Sequence, residues 1–239
     1  MNATLTLMRR ELASLFRSPI GYVVLALFAL GSSLVFYIGF APGNHATMRD
    51  THAGVVWLLV FLAPAISMRL LSEEYARGTI ERLTASPVTD AQVVLGKWLA
   101  AWAFYAVLLL PLVAQMVVLF LTADPDAGPM LAGLLGLLLV GGLYLAIGTS
   151  ASAATQNQVI AFLLAVFVIC GLTFLLYFLP EAGFLPPGVR AAMFYANVNR
   201  RFEPFNRGLL DLRGVVYFVT VTAWFLFLAV KLLESRRWR

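Results

Sequence analysis

Six long apolar runs, separated by short polar connections, dominate the pattern of the chain. The runs cover residues 20–40, 54–71, 93–121, 130–150, 159–179 and 215–233. Each is close to the roughly 20 residues that an α-helix needs to cross the core of a bilayer. The strands of a membrane β-barrel would instead alternate apolar and polar residues over about ten positions. The pattern therefore predicts an all-α integral membrane protein with six transmembrane helices.

Composition supports the membrane class. The chain has 239 residues, of which 61% are hydrophobic and 12% are charged, and its mean hydropathy is +0.87. A soluble domain has about twice that charged fraction, roughly 25%. The single cysteine, Cys170, lies within an apolar run, so the chain has no internal disulfide framework and no cluster of thiolate metal ligands.

Residues 1–18 form a separate amphipathic stretch before the first apolar run. Apolar side chains recur there at helical spacing, at Leu5, Met8, Leu12, Leu15 and Phe16. Arg9, Arg10 and Arg17 lie off this stripe, and Pro19 follows it. The pattern predicts a helix that lies along the inner membrane interface. The alternative is a frayed basic tail that only sets the topology.

The distribution of basic residues predicts the orientation of the spans. If the N-terminus is inside, eleven of the 17 lysines and arginines fall on the inner side and six on the outer side. Connections on the cytoplasmic side of membrane proteins carry the excess of such residues. Both termini are therefore expected in the cytoplasm.

Few side chains in the apolar runs are of the types that catalyse reactions or carry ions. No run has a carboxylate or a histidine at its centre, which disfavours proton-driven transport. Gln115 is the main polar residue deep in a run, and an interhelical hydrogen bond is favoured over a substrate contact. Arg69 and Lys97 lie near the ends of runs, where long side chains can reach the interface. His45 and His52 flank the connection after the first run, too far to serve as a base for the serines of 148–155.

The sequence also shows no phosphate-binding loop for a nucleotide. Gly96-Lys97 is followed by Trp98 rather than by Ser or Thr, and the pattern GxxxxGK[ST] does not occur there. We expect no catalytic, cofactor-binding or metal-binding residues in this chain. If ATP drives the protein, another chain binds it.

The segment 71–97 is unusual because it contains seven charged residues in a mostly apolar chain. Glu73 and Arg77 are four residues apart, as are Arg77 and Glu81, and such pairs stabilise a short helix in water. Gly78 interrupts this helix and permits a turn. Thr89 and Gln92 form a capping box at the start of the third span. A similar pair, Thr155 and Gln158, is expected to cap the fifth span after a second loop, 151–158.

The segment resembles part of a known family. Residues 73–83 follow the pattern E-E-x-x-x-G-T-x-E-x-L, and they are followed by Pro87-Val88 and by V-L-G-K at 94–97. This resembles the connection between the second and third spans of ABC-2-type transporter permeases. The resemblance covers the whole chain. The gliding-motility-type permeases are the most similar, through the residues FNRGLLDLRGVVYF (205–218) and LESRRW (233–238).

The resemblance implies that 72–90 is a coupling segment, which docks into a groove of a cytoplasmic ATPase. It assigns this role to Glu73, Glu74, Arg77, Gly78, Thr79, Ile80, Glu81 and Leu83. A few apolar anchors inside a charged rim are typical of an interface hot spot. The alternative is a solvated loop whose charges only enforce topology.

The outer connection at 180–214 is expected to be ordered, because prolines punctuate its start, at Pro180, Pro186 and Pro187, and an apolar helix stripe facing the membrane or a partner can follow, at Val189, Ala192, Met193 and Val198. Arg207, Asp211 and Arg213 are expected to form local pairs at its end. Two departures from the family pattern occur nearby. Arg201-Phe202 stands where His-Phe is expected, and Gly214 stands where an acid is expected. The function of this outer segment is therefore open.

The implied protein is the permease subunit of an exporter in the bacterial inner membrane, a single transmembrane domain over 1–239. Its expected partners are the bilayer, a cytoplasmic ABC ATPase dimer that binds ATP and Mg²⁺, a second copy or a homologous permease, and an outer-face accessory protein. No nucleic-acid partner is expected. Two alternatives are transmission of force or a signal to an outer-face partner without transport, and an ATPase-independent carrier or scaffold. The sequence does not identify a substrate.

Overall fold

The computed structural model describes residues 3–39, 47–78, 88–181 and 185–236. These residues are 87% helical, and within these ranges the chain has no strand. The helices are α1 (Ala3–Arg17), α2 (Pro19–Gly39), α3 (Arg49–Ser67), α4 (Ser72–Ala76), α5 (Asp90–Leu108), α6 (Leu110–Thr122), α7 (Ala127–Ala154), α8 (Gln158–Cys170), α9 (Leu176–Phe178), α10 (Pro187–Ala196), α11 (Val198–Asn206) and α12 (Leu212–Arg236). A π-helical turn (Gly171–Leu175) joins α8 to α9, and a 3₁₀ turn (Leu179–Glu181) follows α9.

Six helical stretches among the described residues are long and apolar enough to cross a membrane. We number them spans one to six: Pro19–Gly39, Arg49–Ala76, Asp90–Thr122, Ala127–Ala154, Gln158–Phe178 and Leu212–Ser235. The predicted all-α membrane fold with six spans is confirmed. Successive spans run in opposite directions, so α1 lies at one end of the bundle and α10 and α11 lie at the other. We call these the α1 end and the α11 end.

Span four is the centre of the bundle. Its apolar window is 72% buried, compared with 22% in spans one, five and six. It packs against α3, α5, α8, α11 and α12. Glycines make this possible, because a β-carbon on Gly141 would lie 2.1 Å from the ring of Tyr105. Small residues therefore permit close helix approach here.

Spans three and four are joined by a ladder of hydrogen bonds. The side chains of Trp98, Trp102 and Tyr105 donate to backbone carbonyls of span four at 3.0, 3.1 and 2.8 Å. Gln115, further along span three, donates from Nε2 to the hydroxyl of Ser33 in span one at 3.3 Å. The predicted interhelical role of Gln115 is confirmed.

Helix α1 forms over Ala3–Arg17, as its apolar stripe predicts. Part of the stripe packs against the bundle: Leu15 is buried, and the ring of Phe16 meets that of Phe104 in α5 edge-on at 5.1 Å, while Leu5 stays half exposed. Arg9, Arg10 and Arg17 are exposed. The C-terminal part of the apolar stripe of α1 is therefore joined to the protein core.

The connection between spans four and five is shorter than the predicted loop 151–158. Helix α7 continues to Ala154, and α8 begins at Gln158. The predicted capping box of Thr155 and Gln158 is wrong. Asn157 caps α8 instead, because its Oδ1 accepts the backbone N–H of Val159 at 2.8 Å.

Candidate functional site

The charged segment after span two begins on a turn that span four holds in place. Helix α3 ends at Ser67, and the short helix α4 begins at Ser72. The hydroxyl of Ser152, near the end of span four, accepts the backbone N–H groups of Leu71 and Ser72, both at 3.0 Å. It donates to the carbonyl of Met68 at 2.8 Å. One side chain thus fixes the start of α4 to the central span.

A buried ion cluster holds α4 from another side. Lys97 of α5 is only 2% exposed, and its Nζ lies 2.8 Å from Oε1 of Glu74 in α4 and 3.0 Å from Oε1 of Glu11 in α1. The expectation that Lys97 reaches the membrane interface is therefore wrong. A buried cation has to be compensated by opposite charge, and here two carboxylates from two different elements supply it.

The opposite face of α4 is exposed. Glu73 pairs with Arg77 at 2.6 Å, as their spacing predicts, and the Arg77 side chain is 71% exposed. An exposed pair of this kind contributes only about 0–1 kcal/mol. The two adjacent glutamates of α4 therefore differ in their partners, because Glu74 binds the buried Lys97 and Glu73 binds the exposed Arg77.

Gly78 ends α4 with a φ of +65°, in the left-handed region that glycine adopts most readily. The predicted turn is confirmed. Thr79, Ile80, Glu81 and Leu83 lie outside the described residues, so their predicted contacts remain predictions. The chain is described again from residue 88. The capping box of Thr89 and Gln92 is confirmed, because the two residues exchange side-chain-to-backbone bonds at 3.1 and 3.3 Å.

A second contact ties α1 to the turn before α4. Arg69 donates from Nη1 to the hydroxyl of Ser18, between α1 and α2, at 2.6 Å. A β-carbon on Gly96 would lie 3.0 Å from the β-carbon of Leu7, so α1 and α5 also touch closely beside Lys97. At the α1 end, helix α1, the start of α4 and spans three and four form one connected group.

A family comparison identifies the class of this protein. The family model for ABC-2 family transporter proteins matches residues 5–188, well over half of the chain. The chain belongs to this family. No curated protein matches it. The chain is thus a multi-pass membrane protein and the membrane permease component of an ABC transporter, and membership implies an ABC ATPase as its partner.

At the α11 end of the permease, helix α11 is inserted into the bundle. Phe202 and Phe205 are buried, and a β-carbon on Gly136 of span four would lie 2.8 Å from the β-carbon of Phe205. Asn197 caps α11 by accepting the backbone N–H of Arg200 at 3.0 Å. Arg201 lies 3.6 Å above the ring of Tyr195. The connection is therefore helical and packed on its α11 side.

The three residues assigned to this segment make local contacts of different kinds. Arg207 pairs with Glu203, one turn earlier in α11. Asp211 accepts the backbone N–H of Arg213 at 2.9 Å and so caps the start of α12. Arg207 and Asp211 therefore make local contacts, with Glu203 and with the backbone of Arg213. All three lie beyond the residues that the family model matches.

His52 is a buried residue of span two rather than part of the connection before it. Its side chain is fully buried, and a β-carbon on Gly133 would lie 2.3 Å from its Nδ1. This contact leaves no space for a ligand between the two residues. Among the described residues, no three metal-ligating side chains lie together.

The contacts of Lys97 and Ser152 were not predicted from the sequence of the permease. Lys97 pairs with residues of two other elements, and the partners of Ser152 lie in a turn of span two. Neither set has a short spacing that a sequence pattern could identify. The only available signal was a lysine close to an apolar run.

Proposed function

We propose that this permease couples ATP hydrolysis by a cytoplasmic ABC ATPase dimer to the export of a substrate across the bacterial inner membrane. In this proposal the α1 end faces the cytoplasm, in agreement with the distribution of lysine and arginine. ATP and Mg²⁺ bind the partner ATPase, and the permease itself performs no chemistry. Its spans convert closure of the ATPase into a change of access.

The position of α4 is the observation that carries this proposal. The segment 72–90 leaves span two at the α1 end, and its first residues are bonded to span four through Ser152 and to span three through Lys97. A displacement of this segment by a partner would therefore move three spans together. A slack loop would have none of these tertiary bonds.

Six spans are half of the usual translocation unit of the family, so we propose that the permease pairs with a second copy or with a homologous permease. The residues at 205–218 and 233–238 favour the gliding-motility-type subfamily. A second function, transmission of force to an outer-face partner, is favoured by α11. Because Phe205 packs on Gly136, a movement of span four would displace α11.

The test is a pair of substitutions in the predicted ATPase contact. Ile80→Asp inserts a charge among apolar anchors, and Glu81→Lys reverses a rim charge. Loss of a buried anchor costs roughly 2 kcal/mol or more, which is on the order of thirtyfold in affinity. We expect both variants to insert into the membrane but to lose the ATPase during co-purification.

Ala123→Asp is the matched control, because it adds the same charge to an exposed loop at the α11 end. It should retain the ATPase at wild-type affinity. Unchanged assembly and unchanged ATP turnover in Ile80→Asp and Glu81→Lys would overturn the coupling role of this segment.

A further inference from the structure

The ion cluster of Lys97, Glu11 and Glu74 joins two helices that are far apart in the sequence. Glu11 belongs to α1, before the first span, and Glu74 belongs to α4, the start of the coupling segment. One ammonium group, Nζ of Lys97, lies within 3.0 Å of a carboxylate oxygen from each. A side chain of span three therefore connects α1 to the coupling segment.

Burial makes this connection stronger than an ordinary ion pair. The Lys97 side chain is 2% exposed, and those of Glu11 and Glu74 are 20% and 18% exposed. Removing one partner from a buried cluster leaves an uncompensated charge, which is strongly unfavourable. Lys231 and Glu234, whose side chains are 54% and 41% exposed, form an exposed pair that can open at little cost.

The ends of the connection are also held. Helix α1 packs along α5, where Leu7 touches Gly96. The junction after α1 is bonded to the turn before α4 through Ser18 and Arg69, at 2.6 Å. Two separate contacts therefore hold α1, one to α5 and one to the turn before α4.

We propose that Lys97 is a positioning residue that joins α1 and α4 into one moving body. When the ATPase displaces the coupling segment, α1 moves with it. The movement of the ATPase would then be transmitted to the permease along the whole of α1, as well as through spans two and three. This inference rests on the proposed function, since it assumes that the ATPase acts on the coupling segment.

The experiment measures distances between spin labels in the full-length permease, with Cys170→Ser to remove the native cysteine. Labels at the exposed positions Thr6 in α1 and Ala76 in α4 report on the joined body, and a label at the exposed Gln156 serves as a reference. Distances are recorded for the free permease, and for the complex trapped with ATP and a hydrolysis-deficient ATPase. In the wild type we expect an unchanged distance from Thr6 to Ala76, while both distances to Gln156 shift.

The variants test the two ion pairs of the cluster, Lys97–Glu11 and Lys97–Glu74. Lys97→Met breaks both pairs, and Glu11→Ala breaks only the pair to α1, which keeps its apolar contacts with α5. In both variants we expect a broadened distance from Thr6 to Ala76, and at least a fivefold loss of ATPase stimulation, the lower range of typical coupling. Lys97→Arg keeps the charge and should retain both properties. Glu234→Ala, which breaks the exposed pair with Lys231 at the α1 end, is the matched control and should resemble the wild type.

Three outcomes would overturn the inference. In the wild-type complex, α1 could stay in place while α4 moves. In the free permease, the distance from Thr6 to Ala76 could be the same in Glu11→Ala as in the wild type. Full ATPase stimulation could also survive in Glu11→Ala and Lys97→Met.

A wild-type permease that does not bind the ATPase would instead overturn the proposed function, and with it the coupling role of Lys97. ATPase affinity is expected to stay near the wild-type value in Glu11→Ala, because residues 79–83 are unchanged.

Discussion

Gly148 of span four and Ser67 of span two face each other with no space for a side chain between them. A β-carbon on Gly148 would lie 1.8 Å from the hydroxyl oxygen of Ser67. That hydroxyl is itself held in place, because it donates to the carbonyl of Ala63 at 2.8 Å. The close approach of spans two and four at the α1 end therefore depends on glycine at position 148.

Gly148→Ala should destabilise the permease by about 1–3 kcal/mol, the usual cost of overpacking a core. Alanine favours a helix more than glycine does, so a loss of stability would show that the contact outweighs helix propensity. Gly171→Ala in span five is the matched control, because a β-carbon there meets nothing within 4 Å. The thermal midpoint of the detergent-solubilised protein checks this. A lower midpoint for Gly171→Ala but not for Gly148→Ala would contradict it.

Ser152→Ala should release the start of α4 from span four. The substitution leaves the N–H groups of Leu71 and Ser72 without their acceptor, which costs about 1–3 kcal/mol. Hydrogen–deuterium exchange of peptides covering 68–76 should become faster. Ser150→Ala is the control, because that hydroxyl donates only within its own helix, to Ile147 at 2.7 Å. Equal exchange in the two variants would argue against the role of Ser152.

Gly136→Val should displace α11 from the bundle. A side chain at this position collides with Phe202 and Phe205, since even a β-carbon would lie less than 3 Å from each. We expect the wild type to resist trypsin after Arg200 and Arg201, and the variant to be cleaved there. Mass spectrometry of the fragments checks this. Gly188→Val, in a position with open space around it, should keep the resistance of the wild type. Rapid cleavage of the wild type would show that α11 is not stably docked.

The permease alone should not hydrolyse ATP. Its sequence has no GxxxxGK[ST] pattern at Gly96-Lys97 and therefore no Walker lysine to contact the phosphates. Phosphate release should appear only when the partner ATPase is added. Hydrolysis by a preparation that mass spectrometry shows to contain no other chain would refute this prediction.

The sequence by itself determined the features that depend on neighbouring residues. Six spans follow from apolar runs of about 20 residues, because crossing a bilayer is a property of each run separately. The Glu73–Arg77 pair, the turn at Gly78 and the capping box of Thr89 and Gln92 each depend on residues within four positions. Local reasoning failed at span five, where the amide of Asn157 caps the helix in place of Thr155.

Only the tertiary structure decided which polar groups are buried and what they bind. A lysine near the end of an apolar run can extend to the interface or turn inward, and its own neighbours in the chain are the same in both cases. Lys97 turns inward because the fold brings Glu11 and Glu74 to it. The apolar stripe of α1 could likewise meet lipid or protein, and the fold buries Leu15 and packs Phe16 on Phe104 of α5 but leaves Leu5 half exposed. Burial of a charge is favourable only when distant parts of the chain supply its partners, and a local sequence pattern does not contain that information.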